Sequence, residues 1–209
     1  MKQGNIGVTT ENIFPVIKKF LYSDHEIFLR EIVSNAVDAT QKLKALAGKG
    51  EFQGEMGELK VSVSVDKEAK TITVSDNGIG MTAEEIEKYI NQIAFSGAND
   101  FLDKYKDDAP QIIGHFGLGF YSAFMVSESV TVESKVFGSD KAFRWVSTGA
   151  DGYTIVECDK DSFGTVIIIK LKEDTDEDNY SQYLETYKLE SLVKKYSDYI
   201  RHPIKMYVE

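Results

Sequence analysis

The chain has 209 residues, with 24 Lys and Arg against 34 Asp and Glu, and 42% of it is hydrophobic. That suffices for one domain with a substantial core, while the formal charge of −10 offers no basic footprint to nucleic acid or to anionic membrane surfaces. A lone cysteine, Cys158, cannot form an internal disulfide, and neither an apolar leader nor a run of about 20 apolar residues is present. The expected setting is therefore a reducing cytoplasm.

No internal repeat and no Pro/Ser/Gly-rich linker divides the chain, so one unit over 1–209 is expected. Ser23-Asp24-His25-Glu26 fits a capping box, opening a helix from Ile27 to about Leu46. The glycine-rich stretch 47–57 reads as a mobile loop. Val61, Val63 and Val65, then Ile72 and Val74, alternate with polar residues on either side of a 66–70 turn, which predicts a hairpin. Thr82-Ala83-Glu84-Glu85 opens a shorter helix over 82–93, and a second polar loop over 96–114 runs into a glycine-rich turn. A helix over 120–126 follows, then strands over 129–136, 142–146, 153–157 and 165–171. Early helices and late antiparallel strands predict an α+β two-layer sandwich. The acidic run 173–178 reads as a solvated loop, and an amphipathic helix over 189–200 precedes His202-Pro203-Ile204.

Three elements could carry chemistry. Glu31, Asn35 and Asp38 share one face of an otherwise apolar helix, so they are either hydrogen-bonded within a core or aimed into a cavity. In a cavity, Glu31 suits a general base on water, and the Asn35 carboxamide oxygen suits a hard cation such as Mg²⁺. Asp76-Asn77-Gly78-Ile79-Gly80-Met81 ends a strand in a carboxylate followed by two glycines. Such a segment is either an ordinary turn or an acceptor for an exocyclic amine such as the adenine N6 group. Gly114-His115-Phe116-Gly117-Leu118-Gly119-Phe120 sets three glycines before a helix, an arrangement that suits phosphates. It is neither a Walker A loop nor G-x-G-x-x-G. His25, His115 and His202 are far apart, which argues against zinc. Cys158 reads as a buried, inert thiol. Phe20, Tyr22, Phe120, Tyr121 and Phe124 read as core or pocket wall.

In this order the motifs resemble those of the gyrase, heat-shock protein 90, histidine-kinase and mismatch-repair ATPase superfamily, and most nearly a bacterial heat-shock protein 90. The segments 28–39, 76–81 and 113–122 are similar to that family's three signatures, and Gly164-Thr165 with Ile167-Ile168-Ile169-Lys170-Leu171 resembles a fourth. The resemblance spans essentially the whole chain. It implies the Bergerat ATP-binding fold, with ATP or ADP and Mg²⁺ as ligands. Glu31 would polarise the attacking water, Asn35 would ligate Mg²⁺, and Asp76 would read adenine with Thr165 supporting it through water. Asp38, Ala39, Lys42, Gly80 and Met81 would line the base and ribose pocket. The backbone of Gly117, Leu118, Gly119 and Phe120 would hold the phosphates, under a lid at about 91–119. Phe95 departs from the family's lysine at the start of the lid, and Tyr89 from a pocket asparagine found in some members.

The implied function is that of a chaperone's N-terminal domain, in which Mg-dependent ATP hydrolysis, slow in this piece, and lid closure control the folding cycle of client proteins. Client and homodimer contacts would lie in middle and C-terminal domains outside these 209 residues. Two other readings stand beside it. One is a nucleotide switch without productive hydrolysis, moving the lid and a segment near 6–8; the other is a superfamily histidine kinase domain.

Overall fold

The computed structural model describes residues 25–52, 56–90, 119–149, 152–197 and 204–208. Helix α1, Ile27–Gly48, buries Phe28, Leu29, Ile32, Val33, Ala36, Val37 and Leu43, a helical-period apolar stripe wide enough to sit between a sheet and other helices. Glu26 is the N-cap, and its carboxylate accepts from the ammonium groups of Lys188 and, at 3.2 Å, Lys195. The Lys188 hydrogen bond is the main reason the Glu26 carboxyl lies below its usual range. Ser23, the other half of the predicted capping box, lies outside the described residues.

The helix runs through Gly48, so the glycine-rich stretch begins as helix rather than loop. Beyond it Phe52 is packed: its ring lies 4.0 Å from Phe137 and 6.5 Å from Phe163. Strands β1, Val61–Asp66, and β2, Thr71–Asp76, form the predicted hairpin in register from Val61↔Asp76 to Asp66↔Thr71. Its turn places Lys70 at φ +52° and closes with the Ala69 N–H on Asp66 Oδ1. Helix α2, Ala83–Tyr89, opens on a complete capping box between Thr82 and Glu85, worth about 1 kcal/mol. It stops short of the predicted end, and residues 91–93 lie outside the described ones.

Where one helix was expected over 120–126, a 3₁₀ turn, Gly119–Ser122, leads into a single α turn, α3, Ala123–Val126. The remaining strands are β3 (Ser127–Lys135), β4 (Ala142–Ser147), β5 (Tyr153–Cys158) and β6 (Gly164–Leu171). A 3₁₀ turn, Ser181–Leu184, precedes α4, Thr186–Ser197. The last strand, β7, Ile204–Val208, was not predicted and runs parallel to β1. It gives an otherwise antiparallel seven-stranded sheet ordered β5-β4-β3-β6-β2-β1-β7.

Val63, Val74, Ile169, Val130 and Val132 project from one sheet face into the core, each worth about 1.5–3 kcal/mol of burial. Helix α1 covers that face, resting on β1 and β2 and touching α3 and α4. The α+β two-layer sandwich is thus the observed architecture. Cys158 ends edge strand β5 and is part-exposed rather than buried. The acidic 173–178 segment is a capped surface loop: Asp174 accepts from the Ser181 N–H and hydroxyl at 2.7 and 2.6 Å. Among the described residues no acidic, His or Cys cluster could hold a metal, and no helix is long and apolar enough to cross a membrane.

Candidate nucleotide site

The site forms where the C-terminal end of β2, the start of β6 and the polar face of α1 meet. Asp76 sits at the end of β2, and its Oδ1 accepts from the Gly78 N–H at 2.8 Å and the Thr165 N–H at 3.4 Å. Some of its surface remains solvent-accessible, yet its surroundings are dense enough that burial, outweighing both N–H bonds, raises its carboxyl to about 7. The two donors are supplied by glycine-dependent geometry. Gly164 lies at φ +97°, and a Cβ there would come within 2.9 Å of the Asp76 carbonyl carbon. A Cβ on Gly78 would lie 2.5 Å from the backbone of Ala39. That close approach lets the Ile79 N–H reach the Ala39 carbonyl at 3.2 Å, tying the Asp76–Gly80 turn to α1.

Gly80 and Met81 dock on β3. Gly80, at φ +68°, lies so close to Lys135 that a Cβ would sit 2.6 Å from its carbonyl carbon. The Met81 N–H donates to Ser134 Oγ at 2.8 Å, and that hydroxyl pairs with Thr165 Oγ1 at 2.9 Å. Ser134 therefore links two predicted pocket residues, Met81 and Thr165, although the sequence reading passed over it. Its signal was a hydroxyl continuing the inward row Val130, Val132. Replacing Gly80 by Ala should cost about 2–4 kcal/mol in chemical denaturation, because both the positive φ and the Lys135 backbone oppose a side chain. A loss below about 1 kcal/mol would show that the turn can move away.

The other end of the site is built on Glu31. Its Oε1 accepts from Arg30 Nε at 3.0 Å and Nη2 at 2.6 Å. Its other side faces Gly119, where a Cβ would lie 3.1 Å from the Glu31 carboxyl carbon. The last glycine of the Gly114–Gly119 motif thus abuts the α1 carboxylate, while Gly117 and Leu118 lie outside the described residues. One and two turns beyond Glu31 on the same face come Asn35, part-exposed, and Asp38, which is 5% exposed. Lys42 is largely enclosed, and desolvation lowers its ammonium below the usual lysine range against the opposing pull of Asp38 and Glu85. Phe120 and Phe124 pack on Trp145, at 5.6 and 6.4 Å, as part of the hydrophobic core, the first of the two readings given for them. Tyr89 lies under the Lys88 ammonium at 5.0 Å, and Phe95 lies outside the described residues.

Residues 22–165 match the family described as histidine kinase-, DNA gyrase B-, and HSP90-like ATPase. The chain is 62% identical to the chaperone protein HtpG of Porphyromonas gingivalis over 204 residues, 97% of this chain and 29% of that protein. It is 60% identical to HtpG of Bacteroides thetaiotaomicron over 98% of this chain and 29% of the relative. Against HtpG of Bacillus subtilis it is 50% identical over 99% of this chain and 33% of the relative. The chain therefore spans about three tenths of the length of these relatives. With an α+β sandwich carrying the four motifs in order, the chain belongs to the histidine kinase-, DNA gyrase B- and HSP90-like ATPase family, on its heat-shock protein 90 side.

Proposed function

We propose that this chain is the nucleotide-binding domain of an HtpG-type chaperone, that Asp76 reads the adenine of ATP or ADP, and that Glu31 acts at the phosphate end. The observation that carries the reading is the division of labour on Asp76. Both backbone donors fall on Oδ1, which leaves Oδ2 to accept from an exocyclic N–H, the donor that adenine presents and guanine replaces with a carbonyl. Ala39, Gly80 and Met81 bring backbone and an apolar side chain against the base, and Asp38 and Lys42 flank the ribose. Thr165 supports Asp76 through its own N–H, with its hydroxyl turned to Ser134.

At the other end, Oε1 of Glu31 is fixed by the Arg30 fork, and its carboxylate abuts the backbone of Gly119. A water between that carboxylate and a γ-phosphate held on the Gly117–Phe120 backbone would be polarised by Glu31 for attack. The Asn35 carboxamide lies on the same helix face, and its oxygen fits a hard cation. Mg²⁺ held there supplies charge neutralisation on the phosphate oxygens. We further propose that residues 91–119 form the lid over the nucleotide, that turnover in this piece is slow, and that client and dimer contacts are made by parts of the protein beyond it. No observation favours a histidine kinase.

Calorimetric titration of Mg-ADP and Mg-GDP tests the reading. ADP should bind at least about 100-fold more tightly, because guanine sets an acceptor against a buried carboxylate and leaves both unpaired. Equal affinity for the two bases would overturn it.

A further inference from the structure

A polar side chain ends the inward row of each of three neighbouring strands, where the apolar core stops. On β3 the row is Val130, Val132, Ser134; on β6 it runs back from Ile169 and Ile167 to Thr165; on β2 it is Ile72, Val74, Asp76. The strands lie in the order β3-β6-β2, with Ser134 directly opposite Thr165 and Ser75 opposite Val166. The three polar groups therefore stand side by side on the sheet face that α1 covers. Asp76 and Thr165 already have roles in the proposed site. Ser134 has none, although it is fully buried beside a Thr165 that is 5% exposed.

The Ser134 proton has few places to go. Its Oγ accepts from the Met81 N–H at 2.8 Å and lies 2.9 Å from Thr165 Oγ1. The Gly164 carbonyl is 3.5 Å away, past the roughly 3.0 Å reach of a good O–H···O bond. If Thr165 donated to Ser134, the Ser134 proton would be buried with only that distant carbonyl, an arrangement that buried hydroxyls avoid. With Ser134 donating to Thr165 Oγ1 instead, its proton is well placed and the Thr165 proton is turned away from β3.

We propose that Ser134 is a positioning residue for base recognition: by donating to Thr165 it fixes that hydroxyl as a donor toward the pocket, matched to the ring nitrogen N1 that adjoins the adenine amine. This deepens, and rests on, the reading of Asp76 as the adenine acceptor.

The match is one of polarity. The amine edge of adenine presents a donor, N6–H, beside an acceptor, N1. Asp76 Oδ2 takes the first, so the next group along the row has to donate. A threonine hydroxyl alone can donate or accept; with its oxygen accepting from Ser134, it offers its proton to the base. A water between Thr165 and N1 passes the same polarity on. The Met81 N–H holds the Ser134 oxygen in place from the Gly80–Met81 turn, so the polarity is set by backbone on one side and read by the base on the other.

One hydrogen bond to an uncharged acceptor is worth about fivefold in affinity. Holding a hydroxyl in one of its three staggered positions accounts for up to about threefold of that.

The experiment is calorimetric titration of Mg-ADP and of Mg-1-deaza-ADP, in which C–H replaces N1, into wild-type, Ser134→Ala and Thr165→Val chains, with Asp76→Asn as control. The quantity read is each protein's preference for ADP over its 1-deaza analogue, so that a general loosening of the pocket cancels. Expected are a preference of about fivefold in wild type, below about twofold in Ser134→Ala, and about one in Thr165→Val. A Ser134→Ala chain that binds both nucleotides more weakly but keeps the wild-type preference marks a merely structural serine and overturns the proposal. So does a wild type that does not distinguish the two nucleotides, or a Thr165→Val chain that still does. If Ser134→Ala fails to fold, Ser134→Cys, whose thiol fills the site but donates weakly, carries the same comparison with the same expected loss. Those results leave the reading of Asp76 standing if the control abolishes binding. A control that binds ADP normally removes that reading, and the proposal with it.

Discussion

Replacing Asp76 by Asn is expected to weaken Mg-ADP by at least about 100-fold, roughly 2.7 kcal/mol, while leaving the fold intact. In the proposed complex the carboxylate answers three donors: the N–H groups of Gly78 and Thr165 on Oδ1, and the adenine amine on Oδ2. A carboxamide has one acceptor and one donor end. If its oxygen faces the backbone donors, its NH₂ meets the adenine NH₂; if it is flipped, its NH₂ meets two backbone N–H groups. Either orientation buries donors against donors, at about 1–3 kcal/mol for each unsatisfied group. The protein without nucleotide should not lose stability, because a carboxyl that burial has raised to about 7 gains little from being charged. Calorimetry gives the affinity and thermal unfolding gives the stability. Retained ADP binding in this variant would remove Asp76 from the base pocket.

Glu31→Ala is expected to abolish measurable hydrolysis, by about 10²-fold or more, while changing Mg-ADP affinity less than about threefold. The asymmetry follows from position. Glu31 lies on α1 against Gly119, at the opposite end of the site from Asp76 and Thr165, and ADP lacks the phosphate at which we propose Glu31 acts. Removing the carboxylate also takes a negative charge away from the phosphate end of the site, which opposes any loss of binding. Phosphate release in steady state and calorimetry on the same preparation separate the two quantities. Measurable hydrolysis equal in variant and wild type would remove Glu31 from the catalytic role, and binding without hydrolysis in either would favour the nucleotide switch over the ATPase.

Much of this arrangement was legible before any coordinates, and for a common reason. The hairpin, the four later strands and α1 each follow a hydrophobic period that the fold uses directly: Val61, Val63 and Val65 face the core as their alternation requires. The Thr82 capping box closes because both partners lie within one turn. Long-range contacts are the opposite case. Two lysines from α4, more than 160 residues away, donate to the Glu26 carboxylate, and local spacing carries no trace of them. Strand β7 was missed because Ile204, Met206 and Val208 follow a proline and make only a short run, whose pairing partner β1 lies far back in the chain.

The site shows the same division. Glu31, Asp76, Gly80 and Thr165 stand in recognisable motifs, but what joins them does not. Ser134 and Gly164 act through positions fixed by sheet register and close packing. Ser134 faces Thr165 because β3 and β6 are paired in that register. Gly78 is required because α1 presses Ala39 against it. These are tertiary constraints, invisible to periodicity.

A base-reading end separate from a phosphate end underlies every role proposed for these residues. Its most direct test is the titration of Mg-ADP into the wild-type, Asp76→Asn and Glu31→Ala chains side by side under one buffer. Expected are tight binding to wild type, binding within about threefold of that in Glu31→Ala, and none within the measurable range in Asp76→Asn. Binding retained in Asp76→Asn, or lost equally in both variants, would contradict it.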